Sequence, residues 1–247
     1  MALPKRITPD SIREAIVEVR YLSHLPYELL PGIFFEVFDD NYTYTDRPLK
    51  PPAMSPGPVN SPNQLNIQIG KPSLLYNEKI SIQFLPQSLI FTCLNQYIGW
   101  QDYQPEIKKA LSCMYSTGKI QTFTRVGLRY ITEYRGKDLR EITKFEFKFG
   151  MPEIESVATA FKSEFNYKSS KVILNLHNKV PIFVNVANNE LRTEELSRID
   201  IDVIKENLTI KDTEEALKVI EQVHETEKGL FFGMLKEEFL QTLNPEY

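Results

Sequence analysis

The run Ser88–Tyr134, SLIFTCLNQYIGWQDYQPEIKKALSCMYSTGKIQTFTRVGLRYITEY, decides how the chain is read, because strand, helix and strand signals follow one another in it without overlap. Ser88–Leu94 alternates apolar and polar residues, as a half-buried strand does. Trp100, Tyr103, Ile107, Ala110, Leu111 and Met114 then recur at steps that share one helix face, and Gly118 supplies the stop. From Ile120 the alternation returns. Val126, Leu128 and Tyr130 take one face of a long strand; Phe123, Arg125, Gly127, Arg129 and Ile131 take the other.

Towards the N-terminus, Ser11–Leu22 sets Ala15, Val17, Val19 and Tyr21 against Glu14, Glu18 and Arg20, which reads as a first strand. Pro31 opens a short helix with Ile33, Phe34, Val37 and Phe38 on its apolar side, and Asp39-Asp40-Asn41 ends it. Thr45–Pro62 holds six of the sixteen prolines, which neither propagate a helix nor donate to a ladder, so a long irregular loop is predicted. Such a loop serves as a surface connection or as a lid or docking arm. Pro72–Tyr76, Lys79–Leu85 and Ser88–Leu94 are separated by two-residue breaks and predict successive hairpins.

Beyond the opening run, Gly136-Lys137-Asp138 marks a turn and Glu141–Gly150, EITKFEFKFG, alternates like a strand with an aromatic face. Ala160–Tyr167, Lys171–His177, Pro181–Leu191 and Leu196–Ile204 read as extended, with hairpin turns at Lys168-Ser169-Ser170 and Asn178-Lys179. Asp212 and Glu215 have capping-box spacing ahead of a helix expected over 213–243, with Gly229 as a kink or close-packing point. The class is α+β, with mostly antiparallel strands in two halves, 1–136 and 137–247, each carrying a substantial helix. Two similar lobes and one long sheet with helices on one face both satisfy this pattern.

With 247 residues, 42% hydrophobic and 11% aromatic, the chain has enough apolar material for a proper core. A formal charge of −4 gives no global attraction to phosphate backbones, so sequence-independent nucleic-acid binding is disfavoured. The N-terminus lacks the apolar run of a signal peptide and no window approaches the length of a membrane span, so a soluble, cytoplasmic protein without a membrane partner is expected. Cys93 and Cys113 each sit in an apolar stretch, as buried reduced thiols do, and neither a disulfide framework nor a zinc site follows from them.

Arg125 and Arg129 flank Gly127 on one strand face, where two guanidiniums over a side-chain-free gap could fork onto a carboxylate or phosphate. The plainer reading pairs both with glutamates of neighbouring strands and lets Gly127 admit a bulky aromatic. Asp200 and Asp202 share a face of SRIDIDVI, the spacing of a divalent-cation or acid/base pair, although any half-exposed strand alternates this way. His224 lies at the border of the last helix's apolar stripe, without the HExxH or serine-elbow context that would make it catalytic. Neither GxGxxG nor a P-loop occurs, and no cofactor or bound metal is expected.

REAIVEVRY, SLIFTCLN, GWQDYQPEI, RVGLRYITEY, RIDIDVI and VIEQVHETEKGLFFGML, in that order, resemble a sporadically distributed family of uncharacterised bacterial and archaeal proteins of about this chain's length. RVGLRYI and the VHE near the end are its most specific pieces, while Thr45–Pro62 is not expected to be shared. The resemblance implies one conserved module of prokaryotic or mobile-element source and supplies no catalytic residues. The expectation is therefore a non-catalytic binding or assembly module, of the kind found in stress or phage-defence clusters. Its expected partners are a second copy in a homodimer, another protein or a small anionic ligand. The rival expectation is an enzyme in which Arg125 and Arg129 grip an anionic substrate while Asp200, Asp202 or His224 does proton or metal work. A chaperone-like surface built on Phe145, Phe147 and Phe149 is a third.

Overall fold

A computed structural model describes residues 3–38, 41–47, 73–146, 158–186 and 190–247. Its strands are β1 Ile12–Ser23, β2 Thr43–Thr45, β3 Ser73–Tyr76, β4 Ile80–Leu85, β5 Ser88–Cys93, β6 Ile120–Arg135, β7 Thr159–Tyr167, β8 Ser170–Val186 and β9 Glu190–Lys205. The helices are α1 Leu30–Phe38, α2 Trp100–Ser116, α3 Leu139–Ile142, α4 Thr213–Met234 and α5 Glu237–Thr242. The strands form one antiparallel sheet in the order β2-β3-β4-β5-β1-β6-β9-β8-β7, so the class is α+β. None of the described helices is long and apolar enough to cross a membrane.

At the centre, β1 lies between β5 and β6, with Val17 opposite both Phe91 and Leu128. The strand period of two then turns Ala15, Val17, Val19 and Tyr21 to the same side, where all four are buried. Phe34 and Phe38 of α1, Tyr103, Ile107 and Leu111 of α2, and Ile220, Val223 and Phe231 of α4 join them in a single apolar cluster. Each such side chain, fully buried, contributes about 1.5–3 kcal/mol. The described helices all send their buried apolar residues into this cluster. The opposite face of the sheet carries the other register, including Glu18, Arg125, Arg129, Asp200 and Asp202.

Several local expectations hold. Gln87, in the turn between β4 and β5, has φ 61°, and Lys168 and Ser169, between β7 and β8, have φ 46° and 60°, as tight hairpins require. The Asp212 carboxylate accepts the Glu215 N–H at 2.7 Å, capping α4. Both cysteines are free and buried.

Other expectations are corrected. Phe123 belongs to the core face, because the pairing passes from Arg20↔Arg125 to Tyr21↔Phe123 and leaves Thr124 as an extra residue, a bulge that reverses the alternation. Val37 is exposed while Leu30 takes part in the core instead. Asn178-Lys179 is not a hairpin turn but a register shift inside continuous β8, with Lys179 at φ 51°. Likewise Pro181–Leu191 is not one strand: β8 ends at Val186 and β9 begins at Glu190. Leu139–Ile142 forms the turn of helix α3, capped by Asp138, rather than strand. The helix expected over 213–243 stops at Met234. Leu235 turns extended and bridges Thr143, with Lys144 N–H on Met234 C=O at 2.7 Å and Lys236 N–H on Ile142 C=O at 3.0 Å. Gly229 lies against Leu3, whose Cδ1 would meet an added Cβ at 3.9 Å. Most of the proline-rich run, 48–62, and Phe147 and Phe149 lie outside the described residues.

Candidate functional site

The arginine strand is already answered by carboxylates. Arg129 donates from Nε and Nη2 to the two oxygens of Asp200, both at 2.8 Å, and Asn175 adds a third donor to Asp200 at 3.0 Å. Such a bidentate pair is the strongest form of the contact. Arg125 pairs with Glu18 on β1 and lies 3.4 Å from Glu206. Its guanidinium folds back over Gly127, where an added Cβ would meet Nη1 at 3.3 Å. The glycine thus admits an arginine rather than the aromatic ring expected. Asp202 sits opposite Arg129 on the neighbouring strand. Burial pushes its carboxyl up to about 6 against the pull of Arg125 and Arg129.

The sheet separates these four charged residues from His224. Tyr130, whose ring centroid is 6.2 Å from that of His224, neighbours Arg129 along β6 and points to the opposite face. Arg125, Gly127, Arg129, Asp200 and Asp202 therefore come together on one face, and His224 lies behind the other, with the sheet between them. It stacks on Trp100, with centroids 3.9 Å apart and planes 8° from parallel. Burial, with the Lys228 charge, pushes its imidazole down to about 3, so it is neutral near neutral pH.

His224 does border a cavity of about 600 Å³, within the size range of small-molecule sites. It is lined by the segment Lys5–Ile12, the turn Tyr97–Asp102 leading into α2, Tyr130 and Thr132 of β6, α4 from His224 to Phe232, and Glu246. Backbone hydrogen bonds from Lys5 N–H to Glu246 C=O, 2.6 Å, and from Thr8 N–H to Leu243 C=O, 2.7 Å, tie the first of these to the chain's end. Tyr97 and Tyr130 share a hydrogen bond of 3.1 Å across the cavity wall. Burial raises both phenols above their ordinary range, so they stay neutral.

Glu227 stands out on this wall. It is 3% exposed and lines the cavity, yet among the described residues no hydrogen-bond or ion-pair partner meets its carboxyl. Its oxygens are not among the fully buried unsatisfied atoms, so they open on the cavity rather than on packed protein. Burial, reinforced by Asp10, holds its carboxyl well above the usual range. The N-terminus of α2 opens on the same space: Gly99 caps it at φ 86° and no side chain accepts from its first amides. Free N–H groups and the helix dipole there favour an anion.

Sequence reading missed Glu227, Tyr97 and Asp10. A signal for Glu227 existed, since it continues the Ile220–Val223–Phe231 stripe of α4 at helical spacing and places a carboxylate where the pattern calls for an apolar residue. Asp10 and Tyr97 lie in irregular segments, and only the closure of the fold brings them to the cavity. No protein-family model matches the chain, and no curated protein matches it.

Proposed function

We propose that the protein is a non-catalytic binding module that takes a small zwitterionic ligand of the amino-acid class into this cavity. The observation that carries the reading is Glu227, a carboxyl 3% exposed on the cavity wall that meets no protein donor among the described residues. A ligand ammonium supplies N–H donors to that carboxyl, and a ligand carboxylate is met by the free amides at the start of α2. Trp100, Tyr97, Phe231 and Phe232 offer apolar surface for the ligand's body. Burial pushes Cys93 up to about 12 and Cys113 up to about 11, so neither presents a thiolate nucleophile near neutral pH. Arg125 and Arg129, engaged by Glu18 and Asp200, are not the groups that hold the ligand.

The test is a thermal-shift series of the tag-free full chain with the standard amino acids, followed by the N-acetyl and methyl-ester forms of any that bind. A concentration-dependent rise in Tm with at least one free amino acid is expected, lost in both blocked forms and in Glu227→Gln. No shift with any amino acid, or an equal shift with blocked forms, overturns the reading.

A further inference from the structure

One turn before Glu227, α4 carries a second unsatisfied group. His224 is 6% exposed, and its Nδ1 is buried without a hydrogen-bond partner. That nitrogen points at two carboxylates of its own helix, lying 3.7 Å from Glu221 Oε1 and 3.8 Å from Glu225 Oε1. Both distances are too long for a hydrogen bond. They are close to what a shared ion needs, because donors around a tetrahedral zinc stand roughly 3.4 Å apart. One ligand atom from each of the three residues falls within a common span of 4.8 Å.

The surroundings hold these groups in place. The Trp100 indole stacks on the imidazole and fixes its plane, while its Nε1–H donates to Glu221 Oε2 at 2.9 Å, leaving Oε1 turned to His224. A donor that orients a ligating carboxylate in this way is the usual outer support of a metal site. Glu221 and Glu225 are also like charges four residues apart on one helix, a repulsion that a cation between them removes. Among the described residues, Lys228 competes, with Nζ 3.5 Å from Glu225 Oε1.

We propose that Glu221, His224 and Glu225 form a binding site for a first-row divalent transition-metal ion, zinc being the member that fits one imidazole nitrogen with two carboxylate oxygens. Magnesium and calcium, which take oxygen ligands, are not the fit. The site borders the cavity through His224 and Glu225 and does not depend on what the cavity binds.

Trp100 is the only tryptophan in the chain and stacks on His224 with its Nε1–H on Glu221, so its fluorescence responds to an ion bound there. The experiment titrates the tag-free, chelator-treated full chain with Co²⁺, a paramagnetic stand-in for zinc, and then displaces it with Zn²⁺. Saturable quenching at a single equivalent is expected, reversed by Zn²⁺ and unaffected by millimolar Mg²⁺. Glu221→Gln and Glu225→Gln, at half-exposed positions, are each expected to weaken Co²⁺ binding at least about tenfold with the metal-free Tm unchanged. Absence of quenching at one equivalent, or parental affinity in both variants, overturns the site. His224→Gln is a secondary variant, since its side chain is buried, and the two carboxylate variants carry the test if it fails to fold.

Discussion

On the sheet face away from the described helices, arginines of the β6–β9 ladder meet carboxylates: Arg129 with Asp200, Arg125 with Glu18, Arg198 with Glu133 and Arg135 with Glu194. Behind the other face, the Nδ1 of His224 is buried without a hydrogen-bond partner, and Glu227, 3% exposed, borders the cavity with no protein donor on its carboxyl among the described residues. Residue type does not separate the two regions, since both offer carboxylates and cations. Satisfaction separates them. Paired charges hold strands in register, whereas a buried group left unpaired opposes folding. A sequence search for clustered charge finds the first region, and a search for unmet hydrogen bonds finds the second.

The largest effect is expected from breaking a satisfied pair. Arg129→Met leaves the buried Asp200 carboxylate with only Asn175, and a loss of about 3 kcal/mol in urea unfolding is expected. Replacing both partners together, Arg129→Met with Asp200→Leu, should recover most of it. If the single variant is as stable as the parent, the ladder is not structural.

The opposite sign is expected on the other side. Glu227→Met removes an unpartnered buried carboxyl and should raise stability by about 1 kcal/mol while abolishing ligand-induced shifts. A clear destabilisation would mean that Glu227 holds the fold together.

Asp202 gives a pH-dependent test. Its folded carboxyl titrates near 6 against an ordinary value of 3.8, so between these pH values the folded state binds more protons than the unfolded one. Stability from this group therefore falls as pH rises from about 4 to 6, and Asp202→Asn should flatten that slope and be more stable than the parent at pH 7.5. An unchanged slope in the variant would remove Asp202 as its source.

The smallest effect belongs to Gly127→Ala. The new methyl group must move an Arg125 guanidinium held by Glu18, so a loss of up to about 1 kcal/mol is expected, with the Arg125–Glu18 pair as the element that yields. A gain in stability would show that the guanidinium shifts freely.

The alternation in Ser11–Leu22 and Ile120–Arg135, the hairpin breaks before β4 and β5, the α2 stripe and the Asp212 cap were all readable from neighbours two to four residues apart. Those signals are local, and local periodicity determines which face of an element is apolar. Tertiary structure decided what periodicity cannot contain. Thr124 became a bulge because β6 must meet β1 on both sides of it, and Leu235 left the helix because the backbone at Ile142–Lys144 offered it a bridge. The same holds for the sites. Arg125, Arg129, Asp200 and Asp202 could be named from one strand pattern each, but whether they were free was set by partners as distant in sequence as Glu18 from Arg125. The cavity exists only where the first residues, the turn before α2, β6 and α4 converge, so no window of sequence holds it, and Glu227 acquires its meaning from that convergence.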